Sequence, residues 1–493
     1  MASILQIDYI DITVIIIYLL ATIWLGFRLS RQQTTVDAYF LTDRTIPWWA
    51  VMFSIVATET STVTFISVPG FAYAADLTFF QIALGYVVGR GFVTILLMPT
   101  LFQPGILSVY QLVQRYFGKA LGRTISGLFI CTRNLSDGLR LLGASIVLSF
   151  LFTASSDATN TILVLSICAL AAVTVFYTWF GGMTTVVWMD VAQLGLYMGG
   201  ATFAIILLGI EIPGGFTAAW ALADNADKLA FIDLSFDLTR DYTFWSAVGG
   251  GAVFTAATHG ADQMFVQRYL ACSTIAHARR ALFMSGLLVM VQFALFLGIG
   301  VLLWAFYQSN AMFATDVPPA PDRVFAYFIG TEFPRGIRGF MVAAIIAAAM
   351  STLSSSLSSS AATFVDDFYR RPAPGQISPD TGGALRISRL AILVFGAVQA
   401  TVAIIGIAVS DRLIDDVLRI QFFSGGMMLG IFLLMARGYR SPSVGTVAFL
   451  AGLSATVSLA IATGVSWQWY ALVGTCATFG AGAIAHYAEQ SQI

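Results

Sequence analysis

Apolar segments of about twenty residues, separated by short polar stretches, recur along nearly the whole of the 493-residue chain. Each is long enough, as a helix, to cross a hydrocarbon core about 30 Å thick. The pattern predicts thirteen helical spans, at about residues 10–27, 47–72, 79–102, 122–152, 161–180, 184–210, 243–269, 281–308, 336–368, 385–409, 413–436, 443–463 and 467–488. No soluble domain fits between them. The longest connections are 211–242 and 309–335, the second with a short helix around Asp322–Phe333.

Two spans are interrupted by polar residues. The second reads SIVATETSTVTFISVPGFAY, with a polar cluster Thr58–Thr62 in its middle and Pro69-Gly70 near its end. The seventh begins FWSAVGGGAVFTAATHGADQ, with three consecutive glycines followed by polar residues. They stand five spans apart, at corresponding places in two halves. Paired broken helices are the sequence signal of an inverted-repeat transporter whose site lies near the bilayer midplane. Two ordinary kinked helices give the same signal.

A third polar feature lies in the ninth span, where Ser351–Ser360 holds hydroxyls at every position except Leu353 and Leu357. Ser351, Ser354, Ser355 and Ser358 recur at i, i+3, i+4 and i+7 and share one helical face. A row of hydroxyl oxygens suits a small hard cation. By itself it fits close helix packing as well, because small residues let membrane helices approach.

Composition agrees with the spans: 58% of the residues are hydrophobic and only 10% charged, against about a quarter charged in soluble proteins. The net charge of −1 says nothing about nucleic acid, and there is no basic block to bind it. Cys131, Cys168, Cys272 and Cys476 fall inside apolar segments without metal-ligand spacing, as buried small hydrophobes do. No basic n-region or cleavage site precedes the first span, which is read as retained. Lys and Arg alternate from loop to loop. One side holds Arg28, Arg31 and Arg44; Arg115, Lys119 and Arg123; Arg268, Arg279 and Arg280; Arg370, Arg371, Arg386 and Arg389; and Arg437 and Arg440. The other holds Lys228, Arg240, Arg323, Arg335, Arg338 and Arg412. The positive-inside rule then puts the N-terminus outside and the C-terminus in the cytoplasm.

Ionisable groups within spans are functional candidates by their cost. Glu59 lies in the first polar cluster, Asp190 in the sixth span, and His259 with Asp262 in the seventh, where the cytoplasmic end can solvate them. Arg133, Asp137 and Arg140 stand at spacings that allow local pairing, either as structure or as a solute contact. Arg90 and Arg419 are free to snorkel or cap.

Five motifs occur in order: DAYFLTDRTIPWW, ATETSTVTFISVPGFAY, YTWFGGMTTVVWMDVAQ, ADQMFVQRYLACST and AAAMSTLSSSLSSS. Over about residues 10–440 the chain thereby resembles the bacterial sodium/solute symporter family, which includes sodium-coupled sugar, proline and sialic acid transporters. The resemblance implies an all-α polytopic membrane protein of LeuT type in the cell inner membrane. Its single domain, 1–493, would comprise an extra N-terminal helix (10–27), inverted five-helix repeats at 47–210 and 243–436, and two C-terminal helices (443–488).

The same resemblance assigns candidate sites. Its main sodium site maps to the carbonyls of Ala57, Thr60 and Ala348 and the hydroxyls of Ser351 and Thr352. A second sodium site, as in the sialic acid group, maps to Asp190 with Ser351, Ser354 and Ser355. Solute positions map to Ser61 and Thr64, with Phe79, Gln81, Gln263 and Phe423 as looser contacts or gates. Two departures concern the solute. Glu59 stands where the sialic acid group has a hydroxyl and the proline group an aspartate; it would pair a cationic solute group or tune the sodium site. The helix-three arginine that grips a carboxylate falls near Asp137, and Arg140 supplies that charge if the register slips by one turn.

The expected function is sodium-coupled symport of a small polar organic solute by alternating access, with Na+ as coupling ion, one per cycle or two. A sugar, sialic acid, amino acid or carboxylate would be the solute, the bilayer the other partner, and a monomer the working unit. Rival readings are a sensor or receptor of the same fold, a sodium-gated channel, and a proton-coupled symporter using Glu59 and Asp190. A sensor usually carries an added signalling domain, and the chain ends at Ile493 after its last span. No nucleophile–base pair or metal cluster points to an enzyme.

Overall fold

The structure is a computed structural model and describes residues 7–29, 36–103, 106–153, 160–310, 318, 320–370, 382–409, 413–463 and 465–491. Among these residues there is no strand. The helices are α1 (Tyr9–Leu29), α2 (Val36–Leu41), α3 (Trp48–Glu59), α4 (Thr62–Ala74), α5 (Phe80–Phe92), α6 (Met98–Leu101), α7 (Tyr110–Phe117), α8 (Lys119–Thr153) and α9 (Asn160–Glu211). They continue with α10 (Gly215–Asn225), α11 (Gly251–Ala261), α12 (Gln263–Leu270), α13 (Ile275–Ser309), α14 (Pro321–Glu332), α15 (Ile337–Phe364), α16 (Gly382–Val409), α17 (Leu413–Ala436), α18 (Pro442–Ala462) and α19 (Gln468–Gln490). Short π-helical stretches, Val93–Leu97, Trp245–Gly250 and Val365–Arg370, extend α5, α11 and α15.

Every predicted span falls on a helix or helix pair. Among the described residues eight helices are long and apolar enough to cross a membrane, nine counting the bent pair α3/α4. The 52 residues of α9 would run about 78 Å as one rod at 1.5 Å per residue. Gly182, at φ 53°, breaks it where the sequence separates two spans. The expected helix in 309–335 is α14, whereas α2, α7 and α10 carried no apolar signal long enough to be foreseen.

The second span breaks where its polar cluster predicts. The α3 and α4 axes meet at 67°. Thr60 (ψ 99°) and Ser61 (ψ 168°) are extended, and Ser61 caps α4 by accepting from the Thr64 amide at 3.4 Å. The seventh span differs from expectation. Gly249–Gly251 do not interrupt it; the chain stays helical through them and breaks at Asp262 (ψ 121°), which caps α12 through the Met264 amide at 2.8 Å. Gly250 and Gly251 serve contact instead, since a Cβ at Gly250 would stand 2.7 Å from the Gln468 side chain and one at Gly251 3.1 Å from that of Ile82.

Around the breaks the helices form two layers. α5 lies along α11, and α13 along α4 and α5; α15 lies along α9 and α8, with α16 behind them. Backbones in the first layer nearly touch. A Cβ at Gly89 would stand 2.2 Å from the Ala252 carbonyl oxygen, and one at Gly300 would stand 2.2 Å from that of Pro69. α1 is tied to α15 by Asp11, which accepts from the Gly336 and Gly339 amides (2.7 and 2.9 Å) and from Arg338 Nε (2.8 Å). A carboxylate from another helix thus satisfies amides that a helix start leaves open.

Two further expectations change. Only Cys272 is buried; Cys131, Cys168 and Cys476 are exposed and all four are free thiols. Arg268, counted above as a loop charge, lies inside the protein at 0% exposure. Of the other basic residues used for orientation, Arg31, Arg371 and Arg412 lie outside the described residues.

Candidate functional site

The break between α3 and α4 leaves backbone oxygens free. The helical ladder stops with the Thr60 amide on Val56 O (3.0 Å) and resumes with the Phe65 amide on Ser61 O (3.0 Å). Among the described residues no amide reaches the carbonyls of Ala57, Thr58, Glu59 or Thr60 between them. α15 passes this gap with its hydroxyl row. Thr352 donates to Thr58 O at 3.2 Å and lies 3.5 Å from Ala348 O, while Thr62 donates to Ile345 O at 2.9 Å. Ala57, Ala348 and Ser351 are wholly buried, and Thr60 and Thr352 nearly so. Buried neutral oxygens without donors are costly unless something positive meets them. A small hard cation fits that donor set.

On the adjoining face of α15, starting at Ser351, the hydroxyls turn to Asp190. The carboxylate is buried and accepts from Ser351 (2.5 Å) and Ser54 (2.5 Å), with Thr58 at 3.4 Å. Arg268 of α12 pairs with it at 3.1 Å and also donates to Ser54 and Ser355. Ser355 lies 3.1 Å from Thr58 and bonds back to Ser351 O. Ser354 bonds its own helix at Ser351 O (3.1 Å) and meets the Tyr177 side chain of α9 rather than Asp190. Of the second candidate set the structure therefore joins Asp190 directly to Ser351, and to Ser355 through Thr58 and Arg268. Farther along, Ser356 and Ser360 accept from Gln399 and Asn134 (2.9 and 3.1 Å), tying α15 to α16 and α8, which is the packing role.

Beside the break lies a cavity of about 440 Å³, within the size range of small-molecule sites. The break residues Glu59, Ser61 and Thr64 line it, as do Phe79 and Arg140. Its remaining walls mix aromatic side chains, including Tyr86, Phe254 and Phe293, with aliphatic and polar ones such as Val289, Ser67 and Asp322, and Tyr242 and Trp467 also line it. Arg140 donates to Asp137 (3.0 Å) and Gln421 (3.1 Å), and its side chain stands at the cavity wall. Gln81, Gln263 and Phe423 are not brought there. Gln81 is spent on Tyr242 O and the Asp233 amide, Gln263 on Leu107 O and the Val109 amide, and Phe423 packs in the core of the opposite half.

Sequence reasoning missed three partners. Glu59 is not free for a solute: Arg90 of α5, wholly buried, pairs with it and also donates to Ser285 at 2.9 Å. Arg268 holds Asp190. Asp262, thought solvated, pairs with Arg133. The only signal was indirect, in that each of these arginines lies within a few residues of a span centre or in a motif.

A bundle broken at two corresponding points, a scaffold layer, free backbone oxygens and a solute-sized cavity at one break define a membrane carrier. A family model described as the sodium:solute symporter family matches residues 39–436. The chain belongs to that family. It is 28% identical to the sodium/sialic acid symporter SiaT of Proteus mirabilis over 97% of this chain and 94% of that one. It is 27% identical to the mouse sodium-coupled monocarboxylate transporter 2 over 87% of this chain and 67% of that one. Among solved structures it matches the substrate-bound outward-open state of a Na+-coupled sialic acid symporter with a TM-score of 0.87 at 27% identity, covering 98% of both chains. A nucleobase-cation-symport-1 family transporter in a closed conformation shares the fold, with a TM-score of 0.58 at 14% identity over 93% of this chain and 96% of that one. The protein is therefore a LeuT-type, sodium-coupled symporter of a small organic solute working by alternating access, and not an enzyme.

Proposed function

We propose that the protein imports a small organic anion, held in the cavity by Arg140, with Na+ bound at the α3/α4 break. The observation that carries this reading is that one break supplies both the cavity wall and the free carbonyls of Ala57 and Thr60. Ion and solute thus meet on the same few residues, and each can stabilise the conformation the other needs.

Charge supports an anion. Glu59 is matched by Arg90, and Arg133 and Arg140 by Asp262 and Asp137. Asp322 also lines the cavity, bonded to Ser67 and without an ion-pair partner among the described residues, so one sodium ion offsets that carboxylate and Arg140 is the cation left for a monoanion. The relatives named for sialic acid and monocarboxylates carry acids of this kind. The aromatic walls suit the apolar body of such a solute, with Ser61 and Thr64 as hydroxyl contacts.

In this reading Ala57, Thr60, Ala348, Ser351 and Thr352 hold the main sodium ion, and Asp190, Ser351 and Ser355 a second once Arg268 yields. Ser354 is held as a reserve ligand of that site. The repeats are 47–210 and 243–436, since each opens with a helix that restarts on a capping residue, Ser61 or Asp262. The loop charges favour an outside N-terminus and a cytoplasmic C-terminus in the inner membrane. Cavity and cation sites are built from one chain, which supports a monomer.

Uptake into proteoliposomes tests the proposal. A sodium gradient should drive saturable, electrogenic accumulation of one acidic solute from a panel of sialic acids, monocarboxylates, amino acids and sugars. Accumulation of a neutral sugar alone, or uptake driven by a proton gradient without sodium, overturns it.

A further inference from the structure

We propose that Arg133 is the switch of the inner gate: Asp262 holds it while the cavity faces outward, and Asp137 receives it when the path to the cytoplasm opens. This rests on the reading that the cavity beside the break holds the solute.

The position of the pair comes first. Arg133 lies on α8 in the scaffold and Asp262 at the α11/α12 break, so their ion pair joins the two layers. Arg133, Thr258 and Gln421 line both the cavity and a second void of about 20 Å³ beyond it. That void, bounded by Thr132, Ser424 and Met428, has room for about one water molecule. It lies towards the start of α8 at Lys119 and the end of α17 at Ala436, the ends whose basic residues face the cytoplasm in this reading. Arg133, Thr258 and Gln421 therefore stand between the solute cavity and the side of the bundle that faces inward in this reading.

The second observation is a second carboxylate, Asp137, already within ion-pair range of Arg133 but not yet hydrogen-bonded to it. Arg133 Nη1 and Asp137 Oδ2 stand 3.6 Å apart, and both are buried without a hydrogen bond. Such atoms are rare and unfavourable inside proteins, and one small rotation of Arg133 along its own helix satisfies both. The pairing with Asp262 can then break without stranding a buried guanidinium. Asp262 also keeps a partner, since its Oδ1 already accepts from the Met264 amide at 2.8 Å.

The switch is wired to the solute. Asp137 Oδ1 takes Arg140, whose other nitrogen donates to Gln421. A solute carboxylate that draws Arg140 away leaves Arg133 as the cation nearest Asp137, strengthens their attraction and so favours release from Asp262. Solute binding thereby stabilises the inward-open state by differential contact, as a population shift requires.

The test uses full-length protein with Cys131, Cys168, Cys272 and Cys476 replaced and Ser424→Cys added in the lower void. The rate of labelling by a membrane-impermeant maleimide from the cytoplasmic face reads gate opening. Asp262→Asn should raise that rate about tenfold without ligands, whereas Asp137→Asn should lower it by a similar factor and abolish net uptake. Asp137→Glu and Asp262→Glu should restore parent behaviour. A merely structural pair would move both asparagine variants in one direction. That result, or unchanged labelling in Asp262→Asn, overturns the switch; the Asp262→Asn arm decides alone if Asp137→Asn does not fold. Labelling of the parent that ignores both sodium and solute instead overturns the reading of the site, and the switch with it.

Discussion

Thr352 and Ser351 are neighbours on one helix, yet their hydroxyls point at different chemistry. Thr352 reaches the Thr58 carbonyl at the break, and Ser351 reaches Asp190. Thr352→Ala should raise the sodium concentration for half-maximal uptake about tenfold, roughly one hydrogen-bond-sized ligand, while leaving the steepness of the sodium curve unchanged. Sodium titration of uptake checks this, and an unshifted curve removes Thr352 from the site. Glu59 gives a second residue-scale prediction. Glu59→Gln leaves Arg90 buried against a neutral amide and should cost about 3 kcal/mol of stability, with Arg90→Met in addition restoring most of it. Melting temperatures of the single and double variants decide, and equal losses in both would mean that an unpaired Arg90 is not what destabilises Glu59→Gln. Arg140→Gln should weaken binding of an acidic solute at least about tenfold without changing its sodium-dependent stabilisation. Residue types with oxygen at helical spacing were legible in the sequence because their chemistry is local. The guanidinium partners were not, because a long flexible side chain such as Arg90 or Arg268 reaches either solvent or a buried carboxylate from the same backbone position.

At the scale of elements, legibility followed the length of the signal. Apolar runs located the spans, and Thr58–Thr62 located the first break, since a polar cluster in mid-membrane pays for itself only where backbone is exposed to a ligand or cavity. In the seventh span the glycines drew attention and the capping residue Asp262 did not, although an Asp before a new helical run is the stronger restart signal. Those glycines and their counterparts on α5 instead set how closely the helices lie. Gly89→Ala would place a methyl group 2.2 Å from the Ala252 carbonyl oxygen, so α5 and α11 must part. The expected outcome is a protein that inserts but melts several degrees lower and transports slowly, because separating these helices loosens the unit that carries both breaks. Purified-protein melting and initial uptake rate measure the two effects, and wild-type values for both would show that the bundle has slack there.

For the whole molecule, the open quantity is how many ions drive one solute. Each sodium ion moving inward through the membrane field contributes about 2.3 kcal/mol per 100 mV, so a second ion multiplies the attainable gradient instead of adding a small correction. The second set is built around Asp190, where Arg268 already supplies a positive charge. An incoming ion must compete with a tethered guanidinium, and winning that contest loosens α12, which carries Arg268 below the second break. The site would thus report its occupancy to the inner half of the bundle. If it operates, the sodium Hill coefficient is near two, and Asp190→Asn lowers it to about one while the main site keeps its affinity. Reversal potentials in proteoliposomes, taken at fixed solute gradients, give the charge moved per solute independently of the binding curve. A coefficient unchanged by Asp190→Asn, together with an unchanged reversal potential, would assign the carboxylate to Arg268 alone and fix transport at the ion bound by the α3/α4 break.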